Sequence, residues 1–266
     1  ATEAGLPDGV VNVVTGGPET GAALCAHLDI HYIDLTGGTA TGRKVAALAG
    51  DRLVRTTMEL GGKTPVVVCE DADLEGAIAG GLFSAFVASG QTCVSGARFI
   101  VHEAIYKKFV EGMAARADAI EIGDPMADSP QMGPVISKAS KDRCQRIIVQ
   151  AKADGAIQVA GTAEINLPAP FDKGYFVRPT IFKDVRPDQK LFLEEVFGPV
   201  ISITPYKDET EALKLANTGE FGLGVSIWSR DIARAHRLSL GIRGGVVWLN
   251  DHHRNDPRSV WGGVRD

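Results

Sequence analysis

One cysteine of this chain has neighbours that suit a nucleophile. Cys93 lies within Phe86-Val-Ala-Ser-Gly-Gln-Thr-Cys93-Val-Ser-Gly-Ala-Arg98, where small and polar residues surround it and a glycine stands on each side. Such a loop lets a carbonyl carbon approach the sulfur and lets backbone N–H groups point at a developing oxyanion. The alternative is a small buried side chain, the commonest environment of a lone cysteine. We expect that alternative for Cys25, Cys69 and Cys144.

A candidate proton acceptor stands 34 residues before this cysteine. Glu59 follows a predicted strand and precedes Leu60-Gly61-Gly62-Lys63-Thr64-Pro65. The carboxyl ends of parallel strands face the ligand crevice of a sheet, and a carboxylate there can take a proton from water. The alternative is a strand-end carboxylate in solvent. A thiol and a base together are the minimal set for the covalent oxidation of an aldehyde.

Two further motifs are candidates for contacts with a cofactor. The segment Thr36-Gly37-Gly38-Thr39-Ala40-Thr41-Gly42 follows a predicted strand and opens a predicted helix. A helix N-terminus behind a glycine turn can bind a phosphate, although most glycine turns are only turns. The segment Glu194-Glu195-Val-Phe197-Gly198-Pro199, taken by itself, is interpreted as a helix end that Gly-Pro terminates.

The composition is that of a soluble globular protein without a basic surface. Of the 266 residues, 44% are apolar and 23% are charged, and the formal net charge is −5. These values give no positive field for nucleic acid or an anionic membrane. The four cysteines are widely spaced without a C-x-x-C pair, which argues against zinc or a disulfide framework and suits a reducing cytoplasm. The N-terminal residues have neither the basic nor the apolar region of a signal peptide.

One uncharged stretch raises the question of a membrane span. Residues 77–97 carry no charge over 21 positions, which is long enough to cross a bilayer. They include four glycines and three serines, and their apolar part ends near residue 88. We therefore interpret the stretch as a buried helix that leads into the loop of Cys93.

Short apolar runs alternate with helical segments along the chain, which indicates βαβ units and a parallel sheet. We predict strands at 10–14, 30–35, 53–59, 65–69, 99–101, 200–206, 225–228 and 245–249, and near 159, 177 and 181. We predict helices at 19–27, 40–50, from a cap at 71–73 to about 88, and at 105–119, 138–154 and 210–217. The Pro- and Gly-rich residues 161–174 are predicted to form a surface loop.

Taken together, in this order and at these distances, the motifs resemble those of the aldehyde dehydrogenase superfamily over essentially all 266 residues. The resemblance implies an α/β fold: a partial Rossmann-like parallel sheet, which is a partial cofactor-binding domain, at 1–60, and an aldehyde-dehydrogenase catalytic α/β domain at 61–255. Residues 256–266 are expected to return toward the cofactor or oligomerisation side. The residues correspond to the C-terminal portion of a longer protein, and Trp261-Gly-Gly-Val-Arg-Asp266 resembles the family segment W-G-G-x-K/R-x-S-G, cut before its Ser-Gly.

The same resemblance assigns roles to the chemical residues. Cys93 is the implied nucleophile, which forms a thiohemiacetal and then a thioester, and Glu59 is the implied base that activates water. The implied cofactor is NAD or NADP, and the residues expected to contact it are Gly37, Gly38, Thr39, Gly42, Leu60, Glu195 and Phe197. Gly38 stands where the family motif G-S-T-x-x-G usually has a serine, which removes one hydroxyl. In the motif E-x-F-G-P, the glutamate holds the nicotinamide ribose and the phenylalanine packs near the nicotinamide.

The substrate wall is also inferred from the resemblance. Gly245-Val-Val-Trp248-Leu-Asn250-Asp251-His252-His253 resembles the family strand that ends in V-N, after which the chain lines the substrate tunnel. The residues expected to form the pocket are Phe86, Val94, Asn250, His252 and Trp261. Two adjacent histidines suggest a metal by type, but no partner spacing supports one, and we predict no metal.

The function predicted from these motifs is that of an NAD(P)-dependent aldehyde dehydrogenase, a cytoplasmic enzyme whose parent protein is a homodimer or homotetramer. Its partner is a small-molecule aldehyde, without nucleic acid or membrane. One alternative is a CoA-acylating semialdehyde dehydrogenase, in which a base equivalent to Glu59 is generally not kept. Another is a non-catalytic fragment of the same fold. We expect the chain alone to be inactive, because in the family the oxyanion-stabilising asparagine and the adenosine-ribose lysine precede the matched segment.

Overall fold

The computed structural model describes residues 2–129 and 131–265, which form two compact units, one up to Leu60 and one from Gly61 onward. The helices are α1 (Pro18–Ala26), α2 (Thr39–Asp51), α3 (Leu74–Phe86), α4 (Glu103–Asp118), α5 (Lys138–Ala153), α6 (Lys190–Leu193), α7 (Glu209–Ala216) and α8 (Ile232–Gly241). The strands are β1 (Tyr32–Thr36), β2 (Arg55–Glu59), β3 (Thr64–Val68), β4 (Gly96–His102), β5 (Ile157–Ala160), β6 (Thr180–Lys183), β7 (Val200–Tyr206), β8 (Gly224–Trp228) and β9 (Val246–Leu249). The predicted α/β fold class is confirmed.

The first unit is a small βαβ arrangement. Strands β1 and β2 pair in parallel, with Thr36 opposite Glu59, and α2 connects them. The N–H of Gly37 donates to the carbonyl of Glu59 at 2.9 Å. Because the strands are parallel, the glycine turn after β1 and the carboxylate at the end of β2 lie at the same edge of this sheet.

The strand predicted at residues 10–14 is wrong. The segment is irregular, and its valines, Val10, Val11, Val13 and Val14, are all exposed. A strand requires a neighbour that accepts and donates its backbone hydrogen bonds, and within the described residues the first sheet contains only β1 and β2. An apolar run alone therefore does not form a strand when no neighbouring strand pairs with it.

The second unit is built on a seven-stranded sheet in the order β5-β6-β7-β4-β3-β8-β9. All neighbouring strands are parallel except β5 and β6. β3 lies inside the sheet, and all five of its residues are buried. Its side chains alternate between two cores: Val67 packs on the side of α5, α6, α7 and α8, whereas Val66 and Val68 pack on the side of α3 and α4. Helices on both faces explain the continuous apolar run of this strand.

Two local predictions in this unit need correction. Val177 is buried but lies in irregular backbone, and the strand there begins at Thr180. The sequence interpretation also overlooked α8, although Asp231 is a helix cap whose carboxylate accepts from the N–H groups of Ala233 and Arg234. Within the described residues, no helix is both long enough and apolar enough to cross a bilayer.

Candidate active site

The loop that carries Cys93 connects α3 to β4 and begins with a strained turn. Ala88, Ser89 and Gly90 have φ angles of 50°, 57° and 69°, which place three consecutive residues in the left-handed region. Residues other than glycine adopt this conformation at a cost of about 1–2 kcal/mol each. Such strain persists only where the surroundings fix the backbone, and it clusters at functional sites. Cys93 itself is partly buried.

Hydrogen bonds on both sides of the cysteine fix this loop. The hydroxyl of Ser89 donates to the carbonyl of Gly133 at 2.9 Å, before the nucleophile. The hydroxyl of Ser95 donates to the carbonyl of Ser84 at 3.1 Å, after it. The loop is therefore tied both to the segment that precedes α5 and to the end of α3, and the thiol is presented from a defined backbone.

The pair Gly61-Gly62 brings the nucleophile loop and Glu195 to one place. A Cβ on Gly62 would overlap the carbonyl oxygen of Cys93, and a Cβ on Gly61 would lie 2.5 Å from Oε2 of Glu195. The N–H of Gly62 also donates to Oε1 of Glu195 at 2.9 Å. The backbone oxygen of Cys93 therefore requires glycine at position 62, whereas a side chain at position 61 would displace the carboxylate of Glu195.

Glu195 and Phe197 are held by contacts that the sequence did not reveal. Phe197 has a φ of 49°, and its ring is partly exposed. The guanidinium of Arg143, on α5, donates to the carbonyls of Val196 at 2.6 Å and of Phe197 at 3.3 Å. Burial raises the pKa of Glu195, and the Gly62 N–H, Lys63 and Arg143 partly offset that rise. The carboxylate is thus fixed at a half-buried position beside the nucleophile loop.

The first unit places its predicted cofactor residues together. A Cβ on Gly42 would lie 2.5 Å from the side chain of Leu60, so the glycine permits the start of α2 to approach the end of β2. Gly38 precedes α2, and no described side chain caps that end. The first N–H groups of a helix have no partner within the helix and can bind an anion. Gly37, Gly38 and Thr39 therefore lead into a helix end of the kind that can bind an anion.

His252 supports the nucleophile loop from behind. Its Nε2 lies 2.8 Å from the carbonyl of Val94, so this nitrogen carries the proton that is donated. The imidazole is only 6% exposed and its ring centroid lies 4.8 Å from that of Trp248. Burial lowers the pKa of His252 to about 4, so the ring is neutral at physiological pH. His252 thus stabilises the backbone next to Cys93 through its bond to Val94.

Three of the predicted pocket residues make contacts that differ from those expected. Val94 is buried in a small core with Leu223 and Trp248. Phe86 is buried in the core beneath β4. The side-chain amide of Asn250 accepts from the N–H of Ser229 and donates to its carbonyl, both at 2.9 Å. These contacts give each of the three side chains a structural role, and their place in a substrate pocket stays a prediction.

Aromatic rings nevertheless gather beside the loop. Trp261 is 38% exposed and lies 6.3 Å from Trp248, ring centroid to centroid. Phe83 is also exposed and meets His253 edge to face at 5.8 Å. Sequence reasoning missed Phe83, although it precedes the predicted Phe86 by one turn of α3. Phe83 and Trp261 are thus exposed aromatic side chains on this side, and His253 is half-buried.

Cys93 is expected to be the most reactive of the four thiols. Cys69 and Cys144 are buried, and burial raises the pKa of both thiols, which disfavours the thiolate that reacts. Limited labelling of the folded protein with iodoacetamide, followed by peptide mapping, measures this order. Cys93→Ser is the control and should remove most of the label. Preferential labelling of Cys25, Cys69 or Cys144 would contradict the assignment.

Over residues 2–129 and 131–265, no three His, Cys, Asp or Glu side chains are grouped as a metal site. The second histidine, His253, instead has Nε2 3.4 Å from the hydroxyl of Thr92, next to the nucleophile. His253 thus contacts the residue before Cys93, and His252 contacts the residue after it.

The sequence and the fold are similar to those of known proteins. The sequence profile of the aldehyde dehydrogenase family matches residues 1–266. A betaine aldehyde dehydrogenase of Brucella anthropi is 43% identical over 263 residues, covering 99% of this chain and 54% of that protein. The crystal structure of a betaine aldehyde dehydrogenase from Staphylococcus aureus in complex with NAD+ is 32% identical, with a TM-score of 0.94 over 99% of this chain and 52% of that one.

A further solved structure is similar to the same extent. The NAD+ complex of an aldehyde dehydrogenase from Bacillus cereus is 37% identical, with a TM-score of 0.94 over 99% of this chain and 53% of that chain. The present chain therefore spans about half the length of the relatives that it matches.

Proposed function

This chain belongs to the aldehyde dehydrogenase family, and we propose that the native protein containing it oxidises an aldehyde to a carboxylate with NAD or NADP. Aldehyde, NAD(P)+ and water give carboxylate, NAD(P)H and two protons. The observation that best supports the proposal is the Gly61-Gly62 pair, which brings the carbonyl of Cys93 and the carboxylate of Glu195 to one place. A nucleophile beside a group that can hold a ribose is the arrangement that this reaction requires.

Cys93 is the proposed nucleophile. Its thiolate adds to the aldehyde carbon and forms a thiohemiacetal, whose oxyanion needs hydrogen-bond donors. Loss of hydride from that carbon leaves a thioester on the sulfur. The fixed backbone of the loop supports this role, because the bonds from Ser89 and Ser95 keep the thiol in one position while the substrate carbon changes geometry.

The proposed cofactor contacts fit a dinucleotide. When bound, NAD(P)+ supplies the acceptor for the hydride that leaves the carbon attached to Cys93. Glu195 is proposed to accept hydrogen bonds from the nicotinamide ribose, because its carboxylate is held at Oε1 by Gly62 and lies against the bare surface of Gly61. Phe197 is proposed to pack near the nicotinamide, and the turn at 37–42 with Leu60 to lie near the diphosphate.

Glu59 is the proposed base for hydrolysis of the thioester. We expect Glu59→Gln in the native protein to retain the first, pre-steady-state burst of NAD(P)H and to lower the steady-state rate by about 10²–10⁴-fold, because acylation does not need this base and deacylation does. Rapid-mixing absorbance at the reduced-nicotinamide band measures both phases. Cys93→Ser is the matched control and should lose the burst as well. A steady-state rate near that of the wild type would exclude Glu59 as the base.

The overall activity is tested by the reduction of NAD or NADP with a panel of aldehydes. Betaine aldehyde is the first choice, because two of the relatives are named for it. Phe83, His253 and Trp261 are proposed as the aromatic wall that meets the aldehyde. A homodimeric or homotetrameric native protein in the cytoplasm remains part of the proposal. Failure to reduce either dinucleotide with any aldehyde would overturn it.

A further inference from the structure

Lys63 follows the glycine pair directly and is one of the few buried cations of the second unit. Its side chain is 2% exposed, although lysine is almost never fully buried without a charged partner. It immediately precedes β3, an inner strand of the sheet. The family motifs considered above give this residue no role.

Lys63 lines a small cavity beside the proposed site. Its Nζ has no hydrogen-bond partner among the atoms of residues 2–129 and 131–265. The cavity is about 10 Å³, room for roughly one water molecule. Its wall includes Gly62, Thr92, Ser95, Glu195 and Phe197. A buried donor without a protein partner, beside a space of this size, points to a bound water that Lys63 shares with this wall.

Charges of both signs face this lysine from the elements packed around it. Arg98, on β4, repels the ammonium, and Glu195 and Glu194, which follow α6, attract it. Arg143 faces Glu195 in turn, and Arg265 faces Arg98. Burial and then Arg98 lower the pKa of Lys63 to about 7, against the smaller opposite effect of the two glutamates. The side chain therefore exists in both charge states near neutral pH.

We propose that Lys63 gains or loses a proton in response to the charge of the nicotinamide ring, and thereby sets the relative affinity of the native protein for the oxidised and reduced dinucleotide. This inference rests on the proposed function, since it assumes that Glu195 holds the nicotinamide ribose. The oxidised ring carries a positive charge and the reduced ring is neutral. A buried ammonium beside Glu195 repels the first and not the second, and the repulsion is strong because the surroundings are of low dielectric.

The direction of the effect follows from this repulsion. Protonated Lys63, below its pKa, weakens binding of the oxidised form. Neutral Lys63, above its pKa, leaves Glu195 with a net negative charge that favours the cationic ring. The preference for the oxidised form should therefore rise by about three- to fivefold between pH 6 and pH 8.5, the part of a coupling of half to one pKa unit that falls in this range for a pKa of about 7.

The experiment is a titration of the native protein with NAD+ and with NADH across this pH range, followed by tryptophan fluorescence. The Cys93→Ser background removes the thiol as a source of protons. Lys63→Arg keeps a positive charge at every pH, and Lys63→Met has none. We expect a pH-independent ratio in both, with the arginine variant resembling the wild type at pH 6 and the methionine variant resembling it at pH 8.5.

Calorimetry of the protein that retains Lys63 provides a test that does not depend on the folding of these variants. Binding enthalpies in buffers of different ionisation enthalpy give the number of protons exchanged. At pH 7 we expect NAD+ to release about 0.3–0.4 proton more than NADH, because a group half charged at its pKa loses that fraction when its pKa falls by half to one unit. Equal proton numbers together with a pH-independent affinity ratio would overturn the inference alone. If neither dinucleotide binds, the proposed function fails and the inference fails with it.

Discussion

Replacing Gly62 by alanine in the native protein is expected to lower the rate of aldehyde oxidation by at least about 100-fold. The new Cβ would overlap the carbonyl oxygen of Cys93, and both atoms belong to backbone or are attached directly to it. Neither can rotate away, so the nucleophile loop must move by a substantial fraction of an ångström. A displacement of about 1 Å at a reacting group costs on the order of a hundredfold in rate.

Gly61→Ala is the matched comparison, because it adds the same methyl group one residue earlier. Its Cβ would lie 2.5 Å from Oε2 of Glu195, the far end of a flexible side chain that can rotate. We therefore expect Gly61→Ala to weaken dinucleotide binding while leaving the iodoacetamide reactivity of Cys93 close to that of the wild type. Gly62→Ala should change the iodoacetamide reactivity of Cys93 and leave dinucleotide binding closer to that of the wild type.

The measurements for this pair are kcat, the KM for the dinucleotide and the rate of thiol labelling. Gly21→Ala, on α1, serves as a neutral control, because nothing lies within 4 Å of the added Cβ. Equal effects of Gly61→Ala and Gly62→Ala on all three quantities would show that the glycine pair acts through general stability alone.

Arg98 is the second position at which a large effect is expected. The residue lies on β4 and is 2% exposed. Its guanidinium donates to the carbonyl of Lys63 at 2.8 Å, and to three carbonyls at the C-terminal end of α7: Leu215 at 3.4 Å, Ala216 at 3.1 Å and Thr218 at 2.6 Å. It also lies 4.9 Å from the ring centroid of Phe192. One side chain therefore caps a helix and fixes the start of β3.

We expect Arg98→Met to lower the free energy of unfolding by about 3–5 kcal/mol, since methionine fills much of the space and leaves buried carbonyls without donors. Urea denaturation followed by circular dichroism measures the loss. Arg178→Met is the control, because Arg178 also donates to backbone carbonyls, those of Ala163 and Glu164, but from an exposed position. Its effect should stay below about 1 kcal/mol. A loss of that size for Arg98→Met would contradict the expected role of the buried guanidinium.

Much of the second unit could be predicted from the sequence, because its signals are local. The strand predicted at 200–206 has the bounds of β7, and the helix predicted at 138–154 differs from α5 by one residue. Long apolar runs and capping residues lie within the element that they specify, so they can be recognised without knowledge of the tertiary structure. The valines of 10–14 give the same local signal without a pairing strand, and Val177 is buried without pairing, so neither outcome is encoded locally.

The candidate site also contains features that the sequence predicts and features that only the fold reveals. The motifs that contain Glu59, Cys93 and Glu195 predict aldehyde oxidation by their residue types and their order along the chain. The contact of Glu195 with Gly62 joins residues 133 positions apart, and no local pattern reports it. Arg143 was not found either, because its role is to bind backbone carbonyls and any residue supplies those. Lys63 was visible in the sequence, but its burial and its cavity were not.

The place of β3 inside the sheet has a consequence for the synthesis of the protein. β3 pairs with β4, which follows within 40 residues, and with β8, which begins only at Gly224. A chain leaving the ribosome therefore carries one edge of Val66, Val67 and Val68 uncovered until β8 emerges, and such an apolar edge can pair with another chain. The support behind Cys93 forms later still, because Trp248 and His252 pack against Val94. These two contacts beside Cys93 therefore cannot form until the end of the second unit has been translated, whereas the bonds of Ser89 and Ser95 need only residues up to Gly133.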